Sequence, residues 1–189
     1  MDSDDLDAVR EVLAGRTDRF SDLVRRYQRL MGSLVYRMGV PPEDSEDVVS
    51  EVFIKIYENL AKYRPDHAFS TWIYRIGANH ILDYQRKRRR ERGRRELDER
   101  MPDPGPPPSE DVERSELAER VRRLLPLLDE RYRACLILMH VEGKRIEEIC
   151  RILDLPSGTV KTRLARGRAR FAEIIRRHDP ALFEEGVLP

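Results

Sequence analysis

The side chains best able to bind something are basic, and they are bunched. Residues 157–177 set seven Lys and Arg against one acid, and residues 86–95 set eight against one. Covalent or metal chemistry has no comparable cluster. His67, His80, His140 and His178 are scattered, and Cys135-x4-His140 has no ligand-spaced companions. No catalytic residue, metal site or cofactor is assigned, and the enzyme classes are set aside. Bunched guanidinium and ammonium groups hold phosphates, and an arginine fork can also read guanine edges. The expected chemistry is recognition of nucleic acid.

Such groups must be positioned by helices, because strand signals are nearly absent. Apolar residues recur at helical spacing, as in Phe20, Leu23, Val24, Tyr27, Leu30, Met31 and Leu34. The expected fold is all-α, with helices over about 4–14, 18–38, 43–62, 70–91, 112–126, 129–142, 145–153 and 157–176. Pro41-Pro42 and Pro65 punctuate the first half, and Ser70 or Thr71 can cap the fourth helix. Five prolines in residues 101–109 forbid a helix there. The chain therefore divides into a domain at 1–95, a linker at 96–111, a second domain at 112–177 and a tail at 178–189. Eight acids against two arginines in residues 98–119 make the linker and its flank anionic, although the whole chain balances 36 basic against 35 acidic residues. The start, Met1-Asp2-Ser3-Asp4-Asp5, has no basic or apolar block, and the longest apolar run, 134–139, is too short to cross a membrane. A cytoplasmic protein with no membrane insertion is expected, and Cys135 and Cys150 read as small buried hydrophobes.

Residues 145–176 have the outline of a helix-turn-helix. Ile146, Ile149, Cys150 and Leu153 stripe a short helix, Asp154-Leu155-Pro156 breaks it, and Ser157-Gly158 opens the next. Projected at about 100° per residue, Val160, Leu164, Gly167 and Phe171 face inward, while Gly158, Thr162, Ala165 and Ala169 face outward. Lys161 and Arg168 flank that outward crest on one edge, and Arg163, Arg166 and Arg170 flank it on the other. A crest of small residues with basic shoulders lets a helix sink into a major groove. A merely solvated helix would carry mixed charge.

In the first half, Tyr63, Phe69 and Trp72 surround a short loop that leads into a helix with Arg75, Asn79, Leu82 and Arg86 on one stripe. Rings beside a cationic face suit single-stranded DNA, whose bases stack while its backbone is tracked electrostatically. The alternative is that these rings are core, which suits Tyr74 better than Trp72. The preceding helix carries Asp44, Glu46, Asp47, Glu51 and Glu58 among Val48, Val52, Phe53 and Ile56. Its acidic outer face is unsuited to DNA; a protein partner is its natural use, and a solvated surface is the default alternative.

Taken in order, these motifs strongly resemble the extracytoplasmic-function sigma factors of bacterial RNA polymerase, over about residues 5–176. Phe20-x-x-Leu23-Val24-x-x-Tyr27, the run 46–57 and Phe69-Ser-Thr-Trp72-Ile-Tyr-Arg75-Ile76-x-x-Asn79 match sigma domain two. Leu125-Pro-Leu-Leu128, Ile146-Glu-Glu-Ile149 and Leu155-Pro-Ser-Gly-Thr-Val160-Lys-Thr-Arg-Leu164 match domain four. Ser50 and Ala165 depart from the family's usual glutamine and larger side chain. The resemblance implies promoter DNA and core RNA polymerase as partners, the latter through the clamp helices of its largest subunit and the flap of the second largest. An anti-sigma protein is implied as well. It places polymerase docking on Asp44, Asp47, Val48, Glu51 and Ile54. Reading of the −10 element falls to Lys55, Tyr63, Arg64, Phe69, Trp72, Arg75, Asn79, Arg86 and Arg88. The −35 element falls to Ser157, Thr159, Lys161, Thr162, Ala165, Arg166 and Arg168. The competing expectation is a helix-turn-helix regulator that acts without polymerase and dimerises through its first domain.

Overall fold

The computed structural model describes residues 3–92 and 116–184, and among these there is no strand. Helices α1 (Ser3–Leu13), α2 (Phe20–Arg37), α3 (Pro42–Asn59) and α4 (Phe69–Arg92) form a first group. Helices α5 (Glu116–Leu124), α6 (Glu130–Leu136), α7 (Ile146–Leu153), α8 (Ser157–His178) and α9 (Pro180–Glu184) form a second. The proline-rich acidic stretch expected to be a linker lies outside the described residues.

In the first group Leu23, Met31, Leu34, Ile56, Ile73 and Ile81 are fully buried where α2, α3 and α4 meet. The helical spacing of these residues is what turns them to one side. Pro41 in extended conformation and Pro42 at the first helical position start α3, since neither needs an amide donor there. Helix α4 begins at Phe69, so Ser70 and Thr71 lie inside the helix rather than capping it. One carboxylate is buried here: Asp5 accepts from Arg26 and, at 2.6 Å, from the Tyr27 hydroxyl. Those bonds fasten α1 onto α2 and offset the cost of desolvating a charge.

In the second group the backbone of α6 widens into a π turn at Ile137–Val141, within a stretch expected to continue as ordinary helix. Asp129 caps α6 by accepting from the Arg131 amide at 3.1 Å. Asp154 turns α7 toward α8 in the left-handed region (φ 53°). On α8 the inward residues Val160, Leu164, Gly167 and Phe171 are buried, and Gly158, Thr162, Ala165 and Ala169 are exposed, as the projection requires. Gly167 admits the neighbouring helix, because a Cβ there would stand 3.3 Å from that of Tyr132. The stretch expected to be a tail contains α9 instead. Leu182 is buried, and Asp179 grips the Arg120 guanidinium at 2.8 and 2.6 Å.

The two groups touch along α4 and α7. They meet again at Gly39, whose φ of +78° favours glycine and where a Cβ would stand only 3.2 Å from the Arg133 guanidinium. Arg133 is only 6% exposed and donates to the Leu125 carbonyl at 3.3 Å. Burial lowers its pKa to about 10, so it stays charged at neutral pH.

Candidate nucleic-acid interface

Helix α8 presents the clearest surface. Ser157, Lys161, Thr162, Ala165, Arg166 and Arg168 are exposed, and Thr159 is half-buried beside them. A groove of about 280 Å³ runs along its first turns, lined by Gly158, Thr159, Thr162, Arg163 and Arg166 and closed by Arg131 and Tyr132 of α6. The Tyr132 ring holds two cations in place, with the Arg131 guanidinium 4.9 Å from its centre and that of Arg170 at 5.3 Å. Arg131 was not among the candidates. It enters from another helix, so no spacing on α8 announces it.

The second surface lies on α4 and the loop before it. Lys55, Arg64, Arg75 and Arg86 are exposed, although Arg86 also pairs with Asp83. Asn79 is half-buried and donates to the Ile152 carbonyl of α7 at 3.2 Å. The aromatics divide by depth. Phe69 is 2% exposed and Tyr63 9%, so these two are packing residues and present no ring to a base. They instead support Trp72, which is half-buried, with ring centres 5.5 Å from each and near-parallel to Phe69. Arg88 is likewise drawn inward, bonding Asp44, Glu43 at 3.4 Å and the Tyr84 hydroxyl at 2.7 Å. It is therefore withdrawn from the exposed basic face. Burial and a hydrogen bond to Asp44 push the Tyr84 phenol up to about 12, so it remains a donor.

Helix α3 supplies an acidic face. Asp47 and Glu51 are exposed, and Ile54 stands out from them at 57%. Glu51 also bonds His80 of α4 at 2.8 Å. Val48 is buried in the core, so it is unavailable for docking, and half-buried Asp44 is occupied by Tyr84 and Arg88. The cysteines part company too. Cys135 is fully buried and its thiol is pushed up to about 11 by desolvation, whereas Cys150 is only half-buried. No helix among the described residues is long and apolar enough to cross a membrane, and no three of their His, Cys, Asp and Glu side chains are grouped so that they could hold a metal ion.

Comparison with known proteins matches residues 23–91 to the family model of sigma-70 region 2 and residues 118–171 to that of sigma-70 region 4. The chain is 31% identical over 178 residues to the ECF RNA polymerase sigma factor SigW of Bacillus subtilis, covering 89% of this chain and 95% of that one. It is 37% identical over 184 residues to the ECF RNA polymerase sigma-E factor of Escherichia coli, covering 85% and 88%. Its fold is similar to CnrH, solved in complex with the cytosolic domain of CnrY (TM-score 0.66, 24% identity, covering 94% of this chain and 100% of that one). It is equally similar to the sigma factor RpoE of Bartonella quintana, solved with the anti-sigma factor NepR (TM-score 0.66, 20% identity, 85% and 98%).

Proposed function

The chain belongs to the extracytoplasmic-function sigma factors and is an alternative sigma factor, and we propose that it brings core RNA polymerase to promoters by reading a −35 element with α8 and a −10 element with α4. The observation that carries this reading is the crest of Gly158, Thr162, Ala165 and Ala169, exposed between basic shoulders. Small residues let the backbone enter a major groove, and the arginines then reach phosphates and base edges. We assign −35 reading to Ser157, Thr159, Lys161, Thr162, Ala165, Arg166 and Arg168. The −10 element is assigned to Lys55, Arg64, Trp72, Arg75, Asn79 and Arg86. Polymerase docks through Asp47, Glu51 and Ile54, in the cytoplasm, and an anti-sigma protein covers these surfaces when the factor is held in reserve.

Energy sets a division of labour. Unstacking DNA costs about 1.4 kcal/mol per step, so opening several steps requires on the order of 10 kcal/mol, comparable with the whole specific affinity of a small DNA reader. The free chain therefore binds promoters weakly, and polymerase supplies the remaining contacts. Run-off transcription with bacterial core polymerase on promoter fragments from the source genome tests the proposal. New start sites preceded by a shared −35 and −10 pair are the expected result. Tight binding to a palindrome by the chain alone, with no initiation, would transfer the function to a self-sufficient regulator.

Arg131 extends the α8 surface and is expected to contact a phosphate. Arg131→Ala should weaken holoenzyme binding to every promoter alike and reduce the slope of log affinity against log salt by about 1. An unchanged slope would remove Arg131 from the interface.

A further inference from the structure

A cavity of about 310 Å³ opens to solvent between the α2–α3 turn, α4 and the start of α6, and it shares no lining residue with the groove on α8. Its wall carries two buried polar atoms of opposite kind, the Nε–H of Arg133 and the Oε1 of Gln85, and neither has a hydrogen-bond partner. The Gln85 amide cannot exchange its ends, because its Nε2 donates to the Met38 carbonyl at 2.5 Å. The amide oxygen therefore lacks a donor, and the guanidinium lacks an acceptor.

Charge points the same way. Arg88, Arg89, Arg133, Asp129 and Glu130 line the cavity, and all but one of them are paired. Arg88 binds Asp44 and Glu43, Arg89 binds Glu130, and Asp129 holds both the amide and the guanidinium of Arg131 at 3.1 Å. Arg133 is the exception. It donates to the Leu125 carbonyl, and no carboxylate among the described residues forms an ion pair with it. A cation only 6% exposed and balanced by a carbonyl dipole is costly to hold. Water in the cavity can bond both orphan atoms, but being neutral it leaves the charge uncompensated. An oxyanion supplies the acceptor and the charge together, and a guanidinium edge that includes Nε is shaped to take two oxygens of a phosphate. Gln85 adds a second requirement, since only an anion that also carries a hydroxyl satisfies its oxygen. The volume lies at the small end of ligand sites, which run from about 300 to 1,000 Å³.

We propose that this cavity binds a small phosphate that carries a hydroxyl, either free hydrogen phosphate or a short hydroxylated monoester. Arg133 holds the phosphate oxygens, and Gln85 accepts from the hydroxyl. The site stands apart from promoter reading, and its test needs neither DNA nor polymerase.

Isothermal titration calorimetry on the full chain, in chloride buffer at constant ionic strength, uses inorganic phosphate, glycerol 3-phosphate and sulfate as probes. Sulfate has the same tetrahedral shape as phosphate but no hydroxyl to offer at neutral pH. One or both phosphates should bind at a single site with Kd below about 1 mM, the tighter of the two naming the source of the ligand, and sulfate should bind roughly tenfold or more weakly. Arg133→Met should weaken phosphate binding roughly 10- to 150-fold, the loss expected for a hydrogen bond to a charged group. Gln85→Met should bring phosphate down to the level of sulfate and leave sulfate where it was. Absence of saturable binding by either phosphate overturns the site. Binding that Arg133→Met leaves intact overturns it as well, because the phosphate would then sit on the exposed basic faces. Equal affinity of the wild-type chain for phosphate and sulfate overturns the role of Gln85. Should Arg133→Met lose its helical circular dichroism, Arg133→Lys, which keeps the charge and removes the Nε–H, decides by the same criterion.

Discussion

Trp72→Ala should lower open-complex formation roughly 5- to 150-fold while leaving closed-complex binding within a factor of about two, because a base stacked on an aromatic ring contributes about 1–3 kcal/mol. The asymmetry follows from the arrangement of the cluster. Trp72 is the half-buried ring, lying near-parallel to Phe69 with Tyr63 tilted against its side. A flipped base can stack on Trp72 only after the strands part, so a closed complex gains nothing from it. Permanganate footprinting of the melted region, set beside filter binding on the same promoter, separates the two steps. Equal losses in both would show that Trp72 works as packing and not as a stacking platform. Phe69→Ala makes a useful companion, since it removes the support and leaves the platform.

Phe171→Ala is expected to have the larger effect on the fold. The ring is 4% exposed on the inward side of α8, in line with Val160 and Leu164, and truncating a buried Phe costs about 3–5 kcal/mol. That is much of the total stability available to a helical group of this size. Hydrogen exchange should show protection lost across residues 116–184 while α2, α3 and α4 keep theirs, and −35 binding should disappear with it. Protection lost evenly over both groups would show that they unfold as one cooperative unit.

What could be read from the sequence was what repeats within one helix. The faces of α8 follow from 3.6 residues per turn, and that period is indifferent to what lies across the molecule. The acidic face of α3 was legible for the same reason, and the period also explains the correction at Val48. Val48 shares the stripe of Val52, Phe53 and Ile56, which is the core side, so its docking role came from resemblance against the pattern of its own helix. Phe69 and Tyr63 illustrate a second limit: ring type shows that a side chain can stack on a base, whereas depth decides whether it does. The remaining misses depend on partners far along the chain. Arg88 is claimed by carboxylates 44 and 45 residues earlier, Asp179 by an arginine 59 residues earlier, and Glu142 by one 105 residues earlier. Helix α9 is five residues long, too short for any period to show, and it is held by Leu182 and that ion pair. Ile152 lies outside the apolar stripe read from α7 yet is fully buried, a mark of the seam with α4 that one-helix reasoning assigns to solvent.

The order of the helices along the chain also gives the seam a history in time. Everything that closes over α4 is made after it: the Glu142 carboxylate and the Ile152 carbonyl belong to residues synthesised 50 to 60 positions after Arg92. At about 5–20 residues per second, a ribosome needs roughly 3–12 s to supply them. Helical bundles built from contacts close in sequence fold in microseconds to milliseconds, and helices α1 to α4 are expected to do the same once they are made. Each nascent chain is therefore expected to spend seconds with α4 formed and the residues that pack on it not yet made. Whatever binds that surface during translation meets it before the second group is long enough to pack against it.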